Sequence, residues 1–267
     1  MTRILYFDCF SGISGDMTVG ALLDAGGDFE ALQLELSKLG IEEEYKLSVE
    51  KVNRNGITST KFHVNLQEEQ VEHHEHHHHK DEDHHHHDHE DEGHHHHHRT
   101  YKHIRHMINE SNLDRNVKER ALAMFHEIAV AEAKIHGTDL EHVHFHEVGA
   151  VDSIIDIVGT AILIEQLEID KIIASPVPVG SGHIHIDHGI YPVPAPATLE
   201  ILKDIPIRKS EISGELTTPT GAAILKALVD QFSTIPTMEV KEIGYGAGTK
   251  TFPHHPNVLR IVTGTTV

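Results

Sequence analysis

The sequence predicts an α/β fold in which helices pack on a mixed sheet, interrupted by one disordered insertion rich in His and acidic residues. An apolar run, Ile4 to Phe10, leads through the glycine-rich turn at 11–16 into a helical pattern, which is how an α/β unit begins. Further β-branched and helical runs follow along the 267 residues, which are enough to bury a real core. We expect 1–66 and 100–267 to form a single domain around the insertion at 67–99.

Before the insertion, the pattern predicts two helices and a hairpin. The helices cover 17–23 and 29–39, and the second ends at Gly40. Strands are predicted over 45–52 and 58–66, because the segment at 53–56 (NRNG) is a hairpin turn signal. Residues 1–66 alone would bury little apolar surface, so their strands are expected to join the sheet formed by the rest of the chain.

Beyond the insertion, helices and strands are again interspersed. Alternation at 142–146 predicts a strand, and a strongly apolar helix is expected to start near 147–151 and reach 167. A Gly-, Pro- and His-rich stretch at 180–196 predicts a long loop. The remaining predicted elements are helices at 101–108, 114–135, 197–202 and 221–229, and strands at 171–179, 238–244 and 258–262.

Charge and cysteine content exclude several classes of protein. Asp and Glu number 42 against 22 Lys and Arg, and the resulting net charge of −20 disfavours a nucleic-acid partner. No apolar run approaches the roughly 18 residues of a membrane span, and the N-terminus lacks the basic and apolar segments of a signal peptide. A single cysteine, Cys9, excludes an internal disulfide framework, so we expect a cytoplasmic protein.

Histidine is the anomaly of the composition. The chain has 29 histidines, and 16 of them lie between His73 and His98 among interleaved acids. Imidazole nitrogen suits Ni²⁺, Cu²⁺, Zn²⁺ and Co²⁺, so this histidine tract is predicted to bind several divalent ions, although a solvated charge run or a tag would share its composition. The candidate ligands are His76, His77, His78, His79, His84, His85, His86, His87, His94, His95, His96, His97 and His98.

A second metal or acid–base site is predicted at 142–156. In a strand, His142, His144 and His146 would share one face, and Asp152 and Asp156 would share a face of the following helix. These side chains are expected to converge where the strand meets the helix. The alternative is a solvent-facing strand with incidental histidines.

Three further histidines follow the predicted strand at 171–179. His183, His185 and His188 lie in a loop, where α/β proteins place ligands, and they are predicted metal ligands. A polar hairpin with surface histidines would give the same pattern.

Two helix starts are predicted to bind an anion through their backbone amides. Ser11, Gly12, Ser14 and Gly15 link a strand to a helix, and the second start comprises Thr217, Thr218, Thr220 and Gly221. Plain helix capping explains the second pattern equally well, with Thr218 as the cap and Pro219 next. Asp8, beside the first loop, is a candidate metal ligand or acid–base residue.

Several separated blocks resemble the LarC family of nickel-insertion proteins, and together they cover nearly the whole chain apart from the histidine tract. They are YFDCFSGISGDM at 6–17, HFHEVGAVDSIID at 144–156, YPVPAPAT at 191–198, GELTTPTGAA at 214–223, IGYGAG at 243–248 and PNVLR at 256–260. The resemblance implies insertion of Ni²⁺ into pyridinium-3,5-bisthiocarboxylic acid mononucleotide. The product would be the nickel pincer nucleotide that lactate racemase and related enzymes use.

The resemblance also implies cofactors and partners. Members of the family use CTP with Mg²⁺ or Mn²⁺, and longer members continue into a C-terminal domain associated with CTP, which some encode in a separate reading frame. This chain resembles the N-terminal portion, so that domain is an expected partner beside the nucleotide substrate. A nickel–carbon bond at the pyridinium ring requires loss of a ring proton, for which His146 or Glu147 is the predicted base, and Asp8 is a further catalytic candidate.

Two other functions remain open from the residues alone. The chain would be a nickel store or metallochaperone if the histidine tract acted by itself. It would be a zinc hydrolase if His183 and His185 joined Asp152, because catalytic zinc takes three protein ligands and an open position. No GxxxxGK[ST] motif is present, which disfavours a P-loop GTPase.

Overall fold

The computed structural model describes residues 1–67, 99–143, 145, 150–186 and 189–266. The predicted disordered insertion therefore lies outside the described residues, apart from its two end positions. Within the described ranges, the helices are α1 (Gly15–Asp24), α2 (Phe29–Leu36), α3 (Tyr101–Glu110), α4 (Arg115–His136), α5 (Val151–Gln166), α6 (Pro196–Ile201) and α7 (Pro219–Leu228).

A seven-stranded mixed sheet forms the centre of the molecule, which confirms the predicted α/β class. Its strands are β1 (Arg3–Asp8), β2 (Tyr45–Arg54), β3 (Ile57–Leu66), β4 (Lys171–Ala174), β11 (Gln231–Phe232), β12 (Met238–Ala247) and β13 (Val258–Thr266), and their order is β11-β4-β1-β13-β12-β3-β2. Strand β1, inside the sheet, runs parallel to β4 and antiparallel to β13. Strands from both sides of the insertion thus join one sheet, as predicted.

Shorter strands lie outside the central sheet. They are β5 (Val177–Pro178), β6 (Gly180–Ser181), β7 (His183–Ile186), β8 (Gly189–Pro192), β9 (Ile207–Arg208) and β10 (Gly214–Glu215). They pair as β5 with β9, β6 with β10 and β7 with β8.

The helices pack on one face of the sheet. Leu5, Phe7 and Ile261 point into the main core, together with the buried residues of the helices. Alternate residues of the same strands, among them Tyr6 and Val262, form a separate small cluster that contains no helical residue. This division follows from the two-residue repeat of a strand.

Glycines bring α1 unusually close to the sheet. A Cβ atom at Gly246 of β12 would lie 1.8 Å from the carbonyl oxygen of Met17, and one at Gly20 would lie 2.5 Å from the carbonyl oxygen of Thr60. Since neither position has room for a side chain, the backbone of α1 rests directly on β12 and β3. This contact fixes where the N-terminus of α1 points.

Three local predictions are wrong. His142 ends a 3-10 helix instead of starting a strand, because the Asp139 side chain accepts hydrogen bonds from the amides of Glu141 and His142. The predicted loop at 180–196 contains the β7–β8 hairpin. The predicted strand at 171–179 is divided into β4 and β5 around Pro176, which has no N–H to donate.

Candidate functional site

The N-termini of α1, α5 and α7 meet at one cavity of about 400 Å³. Their first turns contribute Gly15, Asp16, Asp152, Ser153, Pro219 and Thr220, while β3 contributes Lys61 and β10 contributes Glu215. Each helix N-terminus carries the equivalent of about half a positive charge. The cavity also lies within the size range of about 300–1,000 Å³ that is usual for small-molecule sites.

The two predicted anion-binding loops lie side by side in this cavity wall. The amide of Ile13 donates to the carbonyl of Leu216 at 3.0 Å, and the amide of Thr218 donates to the carbonyl of Ile13 at 3.1 Å. The amide of Gly15 donates to Thr220 Oγ1 at 3.3 Å. Ser14, Gly15, Thr218 and Thr220 all line the cavity, so the structure brings these four predicted residues together.

The other four predicted anion-binding residues serve the packing of the loops. Gly12, with φ of 92°, and Gly221 lie where a Cβ atom would collide with the carbonyl oxygens of Leu216 and Ile13. The Thr217 hydroxyl donates to the carbonyl of Pro178 at 2.8 Å. Ser11 is fully buried and hydrogen-bonds to His255 and Pro256.

Lys61 is the one cation that lines the cavity among the described residues, and sequence reasoning missed it. Its side chain is 6% exposed and forms an ion pair with Asp16. Its ammonium also donates to Thr249 Oγ1 at 2.8 Å. Asp16 is further held by the Ser14 hydroxyl and by the Met17 amide.

Asp156, a predicted metal ligand, lies against the start of α1. Its Oδ1 atom is buried and has no hydrogen-bond partner in the described part of the chain. Burial raises the pKa of this carboxyl well above its usual range, and the charges of Asp16 and Asp152 add to the shift, while Lys61 and the backbone N–H of Asp16 oppose it. A Cβ atom at Gly15 would lie 2.6 Å from Asp156 Oδ2, so this approach requires glycine.

Glu215 is a second carboxyl that sequence reasoning missed. Burial raises its pKa, and the charge of Lys250 partly opposes that shift. With Asp16, Asp152 and Asp156, it makes four carboxyl groups around one lysine. The cavity therefore suits a ligand that combines positive and negative groups.

The predicted convergence of histidines with these carboxyls is not seen among the described residues. Within the described ranges, no group of three or more His, Cys, Asp or Glu side chains has the spacing of a metal site. His142 is exposed and pairs with Asp139, with Nδ1 to Oδ1 at 2.7 Å, and His183 and His185 are exposed on β7. His144, His146, Glu147, His188 and the histidine tract lie outside the described residues, so their roles stay predictions.

Asp8 lies away from this cavity. Its carboxylate pairs with Arg260, with Nε to Oδ2 at 2.9 Å, and it lines a separate cavity of about 240 Å³ with Tyr6 and Val262. The neighbouring Cys9 is fully buried, and burial raises the pKa of its thiol. The catalytic role of Asp8 stays a prediction.

Comparison with known proteins decides the family. The family model described as nickel insertion protein matches residues 5–267. The chain belongs to this family. This confirms the resemblance seen in the sequence blocks.

Curated relatives of this nickel insertion family are longer than the chain. A protein of Geobacillus kaustophilus (strain HTA426) named pyridinium-3,5-bisthiocarboxylic acid mononucleotide nickel insertion protein is 53% identical over 262 residues, which are 98% of this chain and 60% of the relative. One of the same name from Clostridium kluyveri (strain ATCC 8527 / DSM 555 / NBRC 12016 / NCIMB 10680 / K1) is 50% identical and matches over 98% of this chain and 62% of its own length. The chain thus spans about three-fifths of these relatives.

A third relative, from Wolinella succinogenes (strain ATCC 29543 / DSM 1740 / CCUG 13145 / JCM 31913 / LMG 7466 / NCTC 11488 / FDC 602W), is named putative nickel insertion protein. It is 50% identical to this chain, and the match covers 97% of this chain and 60% of the relative's own length. No solved structure matches the chain. None of the helices described is long and apolar enough to span a bilayer.

Proposed function

We propose that this chain inserts nickel into pyridinium-3,5-bisthiocarboxylic acid mononucleotide, the compound in the names of its Geobacillus and Clostridium relatives, to give the nickel pincer nucleotide. The observation that carries the proposal is the cavity where three helix N-termini, Lys61 and four carboxyl groups meet. This substrate has a cationic pyridinium ring at one end and a phosphate at the other. A cavity with groups of both signs matches such a ligand.

The phosphate is proposed to bind beside Lys61, at the starts of α1 and α7. Helix N-termini attract anions because the helix dipole is positive there. The hydroxyls of Ser14, Thr218 and Thr220 line the same wall and add hydrogen-bond donors. In this arrangement, the Lys61 ammonium would be shared between Asp16 and the phosphate.

Nickel, the metal substrate, is proposed to meet the ring near Asp152 and Asp156. The two carboxyls lie one helical turn apart on α5, and their oxygens would complete the coordination begun by the thiocarboxylate sulfurs. His144, His146 and Glu147 are close in sequence and are proposed to contribute further nitrogen or oxygen ligands. The histidine tract is proposed to supply the nickel.

The cofactors, partners and location of the chain are proposals from the family resemblance and the sequence. Insertion is proposed to be a CTP-dependent, cyclometallase-type reaction with Mg²⁺ or Mn²⁺. The remaining two-fifths of the longer relatives is proposed as a partner, a C-terminal domain that is encoded separately or joined by a frameshift. A cytoplasmic location is proposed because Cys9 is the single cysteine.

An insertion assay with a lysine variant tests the proposed site. Purified chain and the proposed C-terminal partner domain are mixed with nickel, mononucleotide, CTP and Mg²⁺, and the nickel-bearing nucleotide is detected by mass spectrometry. Lys61→Met is expected to weaken mononucleotide binding about 10- to 100-fold, the usual worth of a charged hydrogen bond. Lys46→Met, on the exposed part of β2, is the matched control and should bind normally.

Equal mononucleotide affinity in the Lys61 and Lys46 variants would contradict this site. Absence of the nickel-bearing nucleotide with wild-type chain and the partner domain would contradict the proposed activity itself. The two results are separable because binding is measured by titration and insertion by mass.

A further inference from the structure

The chemistry of the proposed substrate requires a base. Thiocarboxylates at ring positions 3 and 5 flank carbon C4, so a nickel ion held by both sulfur atoms lies against C4. Ni²⁺ favours a square-planar arrangement, in which C4 supplies a third position between the sulfurs. The carbon can bind only after it has lost its hydrogen.

We propose that Glu215 accepts the proton that leaves C4 during nickel insertion. The C4–H bond breaks, its electron pair forms the C4–Ni bond, and the proton passes to the carboxylate of Glu215. Nickel stays in the 2+ state, so the step needs no oxidant or reductant. This inference rests on the proposed function and names the residue that performs its proton transfer.

The first argument is that neither carboxylate oxygen of Glu215 accepts a hydrogen bond from a described residue, whereas each of the other cavity acids accepts at least one. Asp16 is held by Lys61, Ser14 and the Met17 amide. Asp156 faces the backbone N–H of Asp16, and Asp152 accepts from the amide of Ser153 at 2.7 Å. The carboxylate of Glu215 lines the cavity and receives no hydrogen bond from any residue that the structure describes.

The second argument is that the backbone holds Glu215 in place. In β10, Glu215 pairs with Gly180 of β6. Gly214 before it has φ of 120°, and a Cβ atom there would lie 3.2 Å from the Phe252 ring, so the turn into β10 requires glycine. Proton transfer needs a base that is held firmly in position, because the base must lie within hydrogen-bond reach of the proton.

Burial supports the same assignment. A carboxylate in a poorly solvated position is a stronger base than one in water, and burial raises the pKa of Glu215. Lys250 opposes this shift without removing it. Base catalysis is most effective when the pKa of the base approaches the working pH.

The test compares Glu215→Gln with Glu211→Gln in the full chain. Glu211 lies in the same segment, is 83% exposed and pairs with Lys209, so its replacement is a control that should leave the insertion rate unchanged. With the partner domain, nickel, mononucleotide, CTP and Mg²⁺ present, Glu215→Gln is expected to lower the insertion rate by about 100-fold or more. Mononucleotide affinity should stay within a few-fold of wild type, and Glu215→Asp should restore part of the rate.

A deuterium at C4 gives a second measurement. Insertion by Glu215→Gln is expected to slow further when C4 carries deuterium, because proton transfer becomes the slow step once the base is removed. Insertion at the wild-type rate in Glu215→Gln would overturn the assignment, as would loss of mononucleotide binding in that variant. A slow variant whose rate does not depend on the isotope would also overturn it, whereas wild-type chain that inserts no nickel would refute the proposed function as well.

Discussion

The carboxyl group of Asp156 lies against the start of α1 with its Oδ1 atom buried and unpartnered in the described part of the chain. A buried polar group without a partner costs about 1–3 kcal/mol of stability. The fold keeps this group at the cavity where substrate is proposed to bind. Asp156 therefore has the properties of a residue that is kept for its chemistry although it lowers the stability of the fold.

Replacing Asp156 by Asn is expected to stabilise the metal-free chain. The folded state raises the pKa of Asp156, so it favours the protonated form, and the penalty grows as pH rises above the unfolded value of about 4. Asp156→Asn should therefore raise the free energy of unfolding by about 1–3 kcal/mol at pH 7, with no gain below about pH 4.

Urea unfolding with a chelator present, at a series of pH values, measures this difference. Glu110→Gln, at an exposed position on α3, should change stability by less than about 0.5 kcal/mol. A less stable Asp156→Asn at pH 7 would show that the carboxyl stabilises the fold.

Single residues also show where sequence reasoning stops. Thr218 and Thr220 were predictable because a capping threonine before proline is a local pattern. The role of Lys61 was not predictable, because a single polar residue in a strand of alternating polar and apolar residues gives no signal of its own. Its burial depends on Asp16 and Thr249, which are distant in the sequence.

At the scale of elements, glycines determine how closely α1 approaches the sheet. Gly246 and Gly244 of β12 lie where a Cβ atom would fall 1.8 Å from the Met17 carbonyl oxygen and 2.1 Å from the Ala21 carbonyl oxygen. Backbone atoms cannot move aside as a flexible side chain can. The IGYGAG block thus has a packing role that follows from the fold.

Gly246→Ala is expected to destabilise the chain by about 3 kcal/mol, because α1 must move off the sheet. Gly159→Ala is the matched control inside α5, where a Cβ atom would make an ordinary 3.5 Å contact with Val19. The control should be neutral or more stable by up to about 1 kcal/mol, since alanine favours helix. Guanidinium unfolding compares the two, and equal stabilities would contradict the packing argument.

Long periodic elements were predictable and short irregular ones were not. The helix predicted at 114–135 is α4, Arg115–His136, because 22 residues of helical periodicity leave little ambiguity. The strand predicted from the alternation at 142–146 is wrong, because Val143 and Phe145 are buried without belonging to a strand. Phe145 packs on Tyr101 and Phe125, an arrangement that depends on tertiary contacts.

At the scale of the whole molecule, the site is assembled from distant parts of the chain. Gly15, Asp152 and Thr220 come from three helices whose starts are more than 60 residues apart in sequence. The sequence predicts each helix start but not the order of the strands that brings them together. For this reason, the two anion-binding loops were predicted as separate sites.

The two ends of the insertion meet at one residue. The amide of Gln67 donates to the carbonyl of Glu44 at 2.8 Å, and the guanidinium of Arg99 pairs with the Glu44 carboxylate at 2.5 Å. Residues 68–98 can therefore be replaced by a short glycine–serine linker without stretching the chain at either end. This geometry allows the contributions of the cavity and of the histidine tract to be measured separately.

The most direct test of the cavity as the mononucleotide site is a titration of that linker variant with mononucleotide and with nickel. We predict that it keeps the mononucleotide affinity of the intact chain while binding fewer nickel ions per chain. Adding Lys61→Met to the same variant should then weaken mononucleotide binding about 10- to 100-fold. Loss of mononucleotide binding in a folded linker variant, before Lys61 is changed, would contradict the account and assign binding to the tract.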